Sequence, residues 1–285
     1  MLTNTAIEEA LSRAFMEDSP WGDLTSESLL PLDARAQASV VARTAGVMSG
    51  VDVVTTAFRF TDATTDVTVS AFDGESFAAG QLLATVSGNA VAMLRAERIA
   101  LNFVQRMTGV ATLTKSFVDA VSHTKARIVD TRKTTPGLRA FEKYAVQCGG
   151  GMSHRFSLSD AVLVKDNHLA QLQRLGISPA DALRKVRDRV AFTTHVEVEV
   201  DRLDQIESVL SSDVVDSILI DNFSLEDTRA AVALIAGRVL VNASGGVGSP
   251  SQARAIAEAG VDLISVGAIT HSVAVIDIGL DMEFL

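Results

Sequence analysis

The chain has 285 residues, 35 acidic and 25 basic, for a net charge of −10. That sign argues against a nucleic-acid binder, which needs Lys and Arg to neutralise phosphates, and against docking on an anionic membrane surface. Hydrophobic residues make up 47% and aromatics 5%, which excludes a disordered chain and suits helix and parallel-sheet cores in one or two domains.

The first twenty residues carry Glu8, Glu9, Glu17 and Asp18 and lack the basic start and apolar core of a signal peptide. No apolar run approaches the ~18 residues of a membrane span, so a cytoplasmic protein is expected. Helical spacing begins at residues 6–15. Residues 36–43 (AQASVVAR), 66–72 (DVTVSAF) and 81–86 (QLLATV) read as strands, punctuated by Gly74, Gly80 and Gly88. From Ala90 the pattern turns helical, with an interruption expected near Gly109 and a second helix to about Val121. A domain border is placed at residues 108/109.

Beyond it, short β-branched runs alternate with helices: residues 127–131, 161–165, 195–200, 217–221, 238–242 and 262–266. Ser178-Pro179 and Ser249-Pro250 are helix starts, as is Ser224 with Glu226 and Asp227 behind it. Gly237 and Gly260 stand where helix C-caps belong. This rhythm predicts parallel pairing. The fold class expected is α/β: an N-terminal α/β sandwich-like domain (1–108), completed by residues 274–285, and a β/α barrel (109–273) that can be open. A doubly wound sheet is the alternative, but no strand is followed by GxGxxG.

Barrel active sites lie at the C-terminal strand ends. There the runs deliver Arg132 and Lys133; Lys165, Asp166, Asn167 and His168; Glu199 and Asp201; Asp221 and Asn222; Ser244, Gly245 and Gly246; and Gly267, Thr270 and His271. Residues 123–174 hold nine basic and four acidic side chains, so a +5 segment sits in a chain otherwise at −15. That segregation suggests a small polyanionic ligand. Arg139 and Lys143, at i,i+4, read instead as a solvated helix face. The loop from Asn242 to Gly248 can cradle a phosphate. Glu199 and Asp221 can hold Mg²⁺ through oxygens and waters. Of Glu197 and Glu199, one is expected to point inward and the other outward, with Glu199 the functional one. Cys148, the only cysteine, reads as packing.

Residues 130–155 (DTRKTTPGLRAFEKYAVQCGGGMSHR) closely resemble the quinolinate phosphoribosyltransferases. So do LVKDNH at 163–168, EVEVD at 197–201, LIDNF at 219–223, SGG at 244–246, AERIALN at 96–102, and Glu17-Asp18 with GDLT at 22–25. The resemblance covers nearly the whole chain. It implies a homodimer that joins quinolinate to phosphoribosyl pyrophosphate with Mg²⁺, giving nicotinate mononucleotide, pyrophosphate and CO₂ in NAD synthesis. It implies that Arg132, His154 and Arg155 contact the quinolinate carboxylates, with Arg98 reaching in from the partner subunit. Lys133 and Lys165 would lie between quinolinate and the donor, and Glu199 and Asp221 would hold ribose hydroxyls and Mg²⁺. Ser244, Gly245, Gly246, Gly267 and His271 would cradle the 5′-phosphate. Two positions depart from the pattern: Ser153 replaces a frequent Asn, and Asn242 a frequent Glu. Related barrels that accompany molybdate transport alter the Lys-Asp-Asn-His stretch, which is intact here. Two further readings are a Schiff-base aldolase using Lys165 and a non-catalytic anion sensor.

Overall fold

The structure is a computed structural model that describes residues 2–285. It divides into two compact units. The first is Met1–Lys115, Thr134–Gly150 and Ile269–Leu285; the second is Ser116–Lys133 and Gly151–Ala268.

The first unit opens with α1 (Asn4–Asp18), whose N-terminus is capped by the Thr3 hydroxyl and whose inner face buries Ile7, Ala10, Leu11 and Phe15. After α2 (Leu24–Leu29) come β1 (Arg35–Ala42), β2 (Gly46–Val47), α3 (Val51–Thr61), β3 (Asp66–Val69), β4 (Ser76–Phe77) and β5 (Leu82–Asn89). Period-two patterning is visible in β1, which buries Ala36, Ala38, Val40 and Ala42. It pairs antiparallel with β5 on one side and, on the other, with the last strand of the chain, Ile278–Phe284.

Helix α4 (Ala90–Val121) runs unbroken for 32 residues, contrary to the break expected at Gly109. A methyl group on Gly109 would strike the Ala274 carbonyl oxygen and lie 3.0 Å from Val273 Cγ1. The glycine therefore admits a neighbouring strand of chain. Its helix cost of about 1 kcal/mol is too small to stop a well-packed helix. The border expected at residue 108 thus runs through α4. Helix α5 (Arg139–Cys148) groups with the first unit, although it was expected in the barrel.

The expected solvated face of α5 is also corrected: Lys143 is only 3% exposed, and its neighbour Glu142 1%. Glu142 accepts hydrogen bonds from Arg106 (2.7 Å) and from the Thr135 backbone N–H (3.0 Å). The charge at i,i+4 was visible in the sequence, but the burial of that face was not.

The second unit contains β6 (Arg127–Val129), β7 (Val162–Val164), α6 (Asp166–Arg174), α7 (Pro179–Arg187), β8 (Val196–Val200), α8 (Ile206–Leu210), β9 (Ser217–Asp221), α9 (Leu225–Ile235), β10 (Leu240–Ser244), α10 (Pro250–Glu258) and β11 (Leu263–Ser265). The hydroxyls of Ser178, Ser224 and Ser249 accept from the backbone three residues on and start α7, α9 and α10 as expected. The strand expected at 238–242 begins two residues later. Arg238 donates instead to the carbonyls at the end of α9, and Ala236 already takes the left-handed turn, at φ 52°.

All six strands are parallel, in the order β6-β11-β10-β9-β8-β7. Each strand from β8 to β11 lies beside its predecessor. The first strand, β6, joins the last, which leaves one gap between β6 and β7. A doubly wound sheet would instead reverse its strand order.

Candidate active site

In neighbouring parallel strands, residues in register share a face. Glu197 is level with Ser217 and Glu199 with Leu219. Asn242 is level with Leu219 and Ser244 with Asp221. Since the side-chain period is two, Glu197, Glu199, Ser217, Asp221, Asn242, Ser244 and Ser265 all stand on one face of the sheet. The expectation that Glu197 and Glu199 point opposite ways is therefore wrong: residues two apart along a strand lie on the same side.

Deep on that face, Glu197 is 2% exposed. One carboxylate oxygen meets His154 Nε2 at 2.6 Å; the other accepts from Ser217 Oγ (3.1 Å) and Asn242 Nδ2 (2.9 Å). Burial alone would push this carboxyl up. The bonds from His154, Asn242 and Ser217 outweigh burial and hold it below the ordinary carboxylate range. Asn242 in turn accepts from Ser265 Oγ at 3.0 Å. Nearer the C-terminal strand ends, Lys165 Nζ donates to Glu199 Oε2 at 2.9 Å.

The two arginines of the second unit's site are half-buried. Arg155 donates to the Ala161 carbonyl (3.2 Å), and burial and then repulsion from Arg132 lower its affinity for its proton. Arg132 Nε is buried with no hydrogen-bond partner. Two guanidinium groups that repel each other and an unsatisfied donor form a cationic patch that favours a multivalent anion.

The glycine-rich loop is tightly folded. Gly245 has φ +95° and Gly246 φ +65°. A methyl group on Gly245 would strike Asn222 Oδ1 and lie 2.7 Å from the Asn222 backbone nitrogen. Asn222 is itself left-handed (φ 58°), donates its N–H to the Ser244 carbonyl (2.9 Å), and donates its side-chain amide to Asp221 Oδ2 (2.8 Å). The cradle and the carboxylate at the end of β9 are thus built as one piece.

Of the expected site residues, Arg132, Lys133, His154, Arg155, Lys165, Glu199, Asp221, Ser244, Gly245, Gly246 and Gly267 belong to the second unit; Arg98 and His271 belong to the first. Arg98 is exposed on α4, and His271 is exposed with Nδ1 2.7 Å from Ser272 Oγ. Not every cation of the basic segment serves the site: Lys125 pairs with Asp262 at the opposite end of the sheet (2.6 Å). Sequence reasoning missed Ser217 and Asn242 as partners of Glu197, and Ser265 as the partner of Asn242. The signal was their matching positions within neighbouring runs. Cys148 sits apart in the first unit, where burial pushes its thiol up to about 11, in keeping with packing rather than nucleophilic attack.

Among the described residues no group of three or more His, Cys, Asp or Glu side chains could hold a metal ion by itself. Glu199 and Asp221 supply hard oxygen donors at the ends of adjacent strands. That donor set fits Mg²⁺, which is usually held by one or two carboxylates together with waters and substrate phosphates.

Cations gathered over the C-terminal ends of parallel strands, beside carboxylates on the same face, define a β/α enzyme acting on small polyanions. Residues 23–108 match the family model for the quinolinate phosphoribosyl transferase N-terminal domain, and residues 110–281 that for its C-terminal domain. The chain belongs to the quinolinate phosphoribosyltransferase family. It is 44% identical over 283 residues to a carboxylating nicotinate-nucleotide pyrophosphorylase of Mycobacterium leprae, covering 97% of each chain. It is 34% identical to a probable one of Bacillus subtilis, over 99% of this chain and 95% of that protein. The crystal structure of NadC from Streptococcus pyogenes superposes with a TM-score of 0.93 at 35% identity, over 100% of this chain and 99% of that one.

Proposed function

We infer that this chain is a carboxylating nicotinate-nucleotide pyrophosphorylase: it joins quinolinate to phosphoribosyl pyrophosphate and releases nicotinate mononucleotide, pyrophosphate and CO₂. The observation that carries the site reading is the crowded Arg132–Arg155 pair with its unsatisfied Nε. A ligand with two adjacent carboxylates answers both guanidinium groups at once.

In this reading Arg132, His154 and Arg155 hold the quinolinate carboxylates, and Arg98 is contributed by a second subunit. Lys133 and Lys165 face the ground between the substrates. Glu199 and Asp221 hold ribose hydroxyls and the metal. Ser244, Gly245, Gly246, Gly267 and His271 receive the 5′-phosphate.

The bond from C1′ to pyrophosphate breaks with oxocarbenium character, and pyrophosphate leaves with the electron pair. The quinolinate nitrogen, a weak nucleophile, forms the new bond to C1′, so holding it in line is the main contribution of the protein. Lys133 meets the departing charge. Bound Mg²⁺ would neutralise pyrophosphate charge, held by Glu199 and Asp221. The bond from C2 to its carboxylate then breaks. The pair left on C2 is stabilised by the adjacent cationic nitrogen, and C2 takes up a proton. The cations must orient the 2-carboxylate without gripping it too firmly, since equal binding of ground and transition states gives no acceleration.

A Schiff-base role for Lys165 finds no support: its ammonium is bridged to Glu199 and its side chain is 47% exposed, unlike a desolvated lysine nucleophile. The test of function is incubation with quinolinate, phosphoribosyl pyrophosphate and Mg²⁺. Nicotinate mononucleotide should form, and should not form when nicotinate replaces quinolinate. A cytoplasmic homodimer with a shared site belongs to the same proposal. Mixing inactive Arg98→Ala and Lys165→Ala subunits should then restore activity; no recovery after verified subunit exchange would refute sharing.

A further inference from the structure

We propose that Glu197 is a positioning residue for His154, and that the polar chain behind it sets which imidazole nitrogen carries the proton. This rests on the reading of His154 as a quinolinate contact.

The hydrogen-bond directions follow from the partners. The Glu197 carboxylate can only accept, so the Asn242 amide is oriented with Nδ2 toward Glu197 Oε1 (2.9 Å), and Asn242 Oδ1 then accepts from Ser265 Oγ (3.0 Å). Ser217 Oγ donates to the same Oε1 (3.1 Å) and, having spent its proton there, accepts from His195 Nε2 (2.7 Å). Glu197 Oε1 thus has two donors. Oε2 is the oxygen that faces His154, at 2.6 Å, and a carboxylate oxygen can only accept. His154 Nε2 must therefore carry hydrogen, and the ring plane is set by a carboxylate that is itself held from two sides. Asn242 stands where the family pattern often has Glu. In this chain it supplies the amide donor that a carboxylate could not.

A Glu197→Gln substitution probes this directly. Asn242 Nδ2 can only donate and so keeps the carbonyl oxygen, which turns the new amide to His154. Nε2 must then accept, and the proton moves to Nδ1. The shape is nearly preserved while the tautomer is inverted.

The experiment compares Glu197→Gln, His154→Ala and the double variant in steady-state kinetics, with ¹⁵N NMR of the His154 ring in the first. The Glu197→Gln variant should raise the quinolinate KM by about five- to twentyfold, leave the phosphoribosyl pyrophosphate KM unchanged, and show the proton transferred from Nε2 to Nδ1. It should add nothing in the His154→Ala background. A Glu197 effect that persists in that background overturns the proposal, as does an unmoved proton. A normal quinolinate KM in His154→Ala would remove His154 from the site and overturn the proposal with it. If Glu197→Gln fails to fold, Ser217→Ala, which takes away one donor and keeps the carboxylate, should raise the same KM by a smaller factor. An unchanged KM in that folded variant also overturns the proposal.

Discussion

Gly245 and Gly246 provide a matched pair of perturbations. Both have positive φ, so an alanine at either position carries backbone strain of roughly 1–2 kcal/mol. Nothing lies within 4 Å of a methyl group on Gly246, whereas one on Gly245 runs into Asn222, including its backbone nitrogen at 2.7 Å. A side-chain rotation cannot relieve that contact. The exit of β9 must shift, adding about 1–3 kcal/mol of overpacking. Gly246→Ala should therefore lower Tm by about 2–8 °C, and Gly245→Ala by roughly twice that, at ~2–4 °C per kcal/mol for a unit of this size. Because Asn222 also holds Asp221, Gly245→Ala should raise the phosphoribosyl pyrophosphate KM severalfold more than Gly246→Ala. Thermal melts and kinetics of the two variants side by side provide the assay. Equal Tm and equal KM in both would refute the coupling of the cradle to Asp221.

Arg155→Ala should raise the quinolinate KM and cut kcat/KM by more than about tenfold, given ~1.5–3 kcal/mol for a charge-assisted contact; wild-type kinetics would remove Arg155 from the site. Gly109→Ala should destabilise the first unit in spite of its better helix propensity, because the added methyl meets the Ala274 carbonyl; a raised Tm would refute that packing. Cys148 should react slowly with a thiol reagent at pH 7 in the folded protein, since burial keeps it a thiol, and rapid labelling would contradict this. Asp216 is pushed up by burial but more strongly held down by the Val196 N–H and Arg187, so its carboxyl lies below its unfolded value. Its contribution is present above the unfolded pKa and fades as pH falls through the folded one. Asp216→Asn should accordingly cost about 1 kcal/mol at neutral pH and less in acid, measured by urea melts across that range.

The parallel sheet was legible because its strands are buried on both faces and read as continuous β-branched runs with capped helices between them. Their polar ends marked the site for the same reason: Lys165 and Glu199 interrupt apolar runs and meet in space. What the sequence hid was lateral register. Asn242, Ser217 and Ser265 are ordinary residues within their own strands and acquire a role only beside Glu197. Taking Glu197 and Glu199 to face opposite ways concealed that network. Gly109 misled because a glycine in a helical pattern signals either a break or a close approach, and only the packing of Ala274 decides between them.

The two larger sheets are each completed by a late strand. Leu263 of β11 is level with Arg127 of β6, and Phe284 is level with Ala36 of β1. These pairings join residues 136 and 248 positions apart, so their loop-closure entropy falls on late steps of folding. As the chain emerges during synthesis, β6 and one edge of β1 wait unpaired until residues 263–284 arrive. The order in which this protein is made is therefore not the order in which it closes. A truncation of its last strands should show as aggregation during expression before it shows as a loss of catalysis.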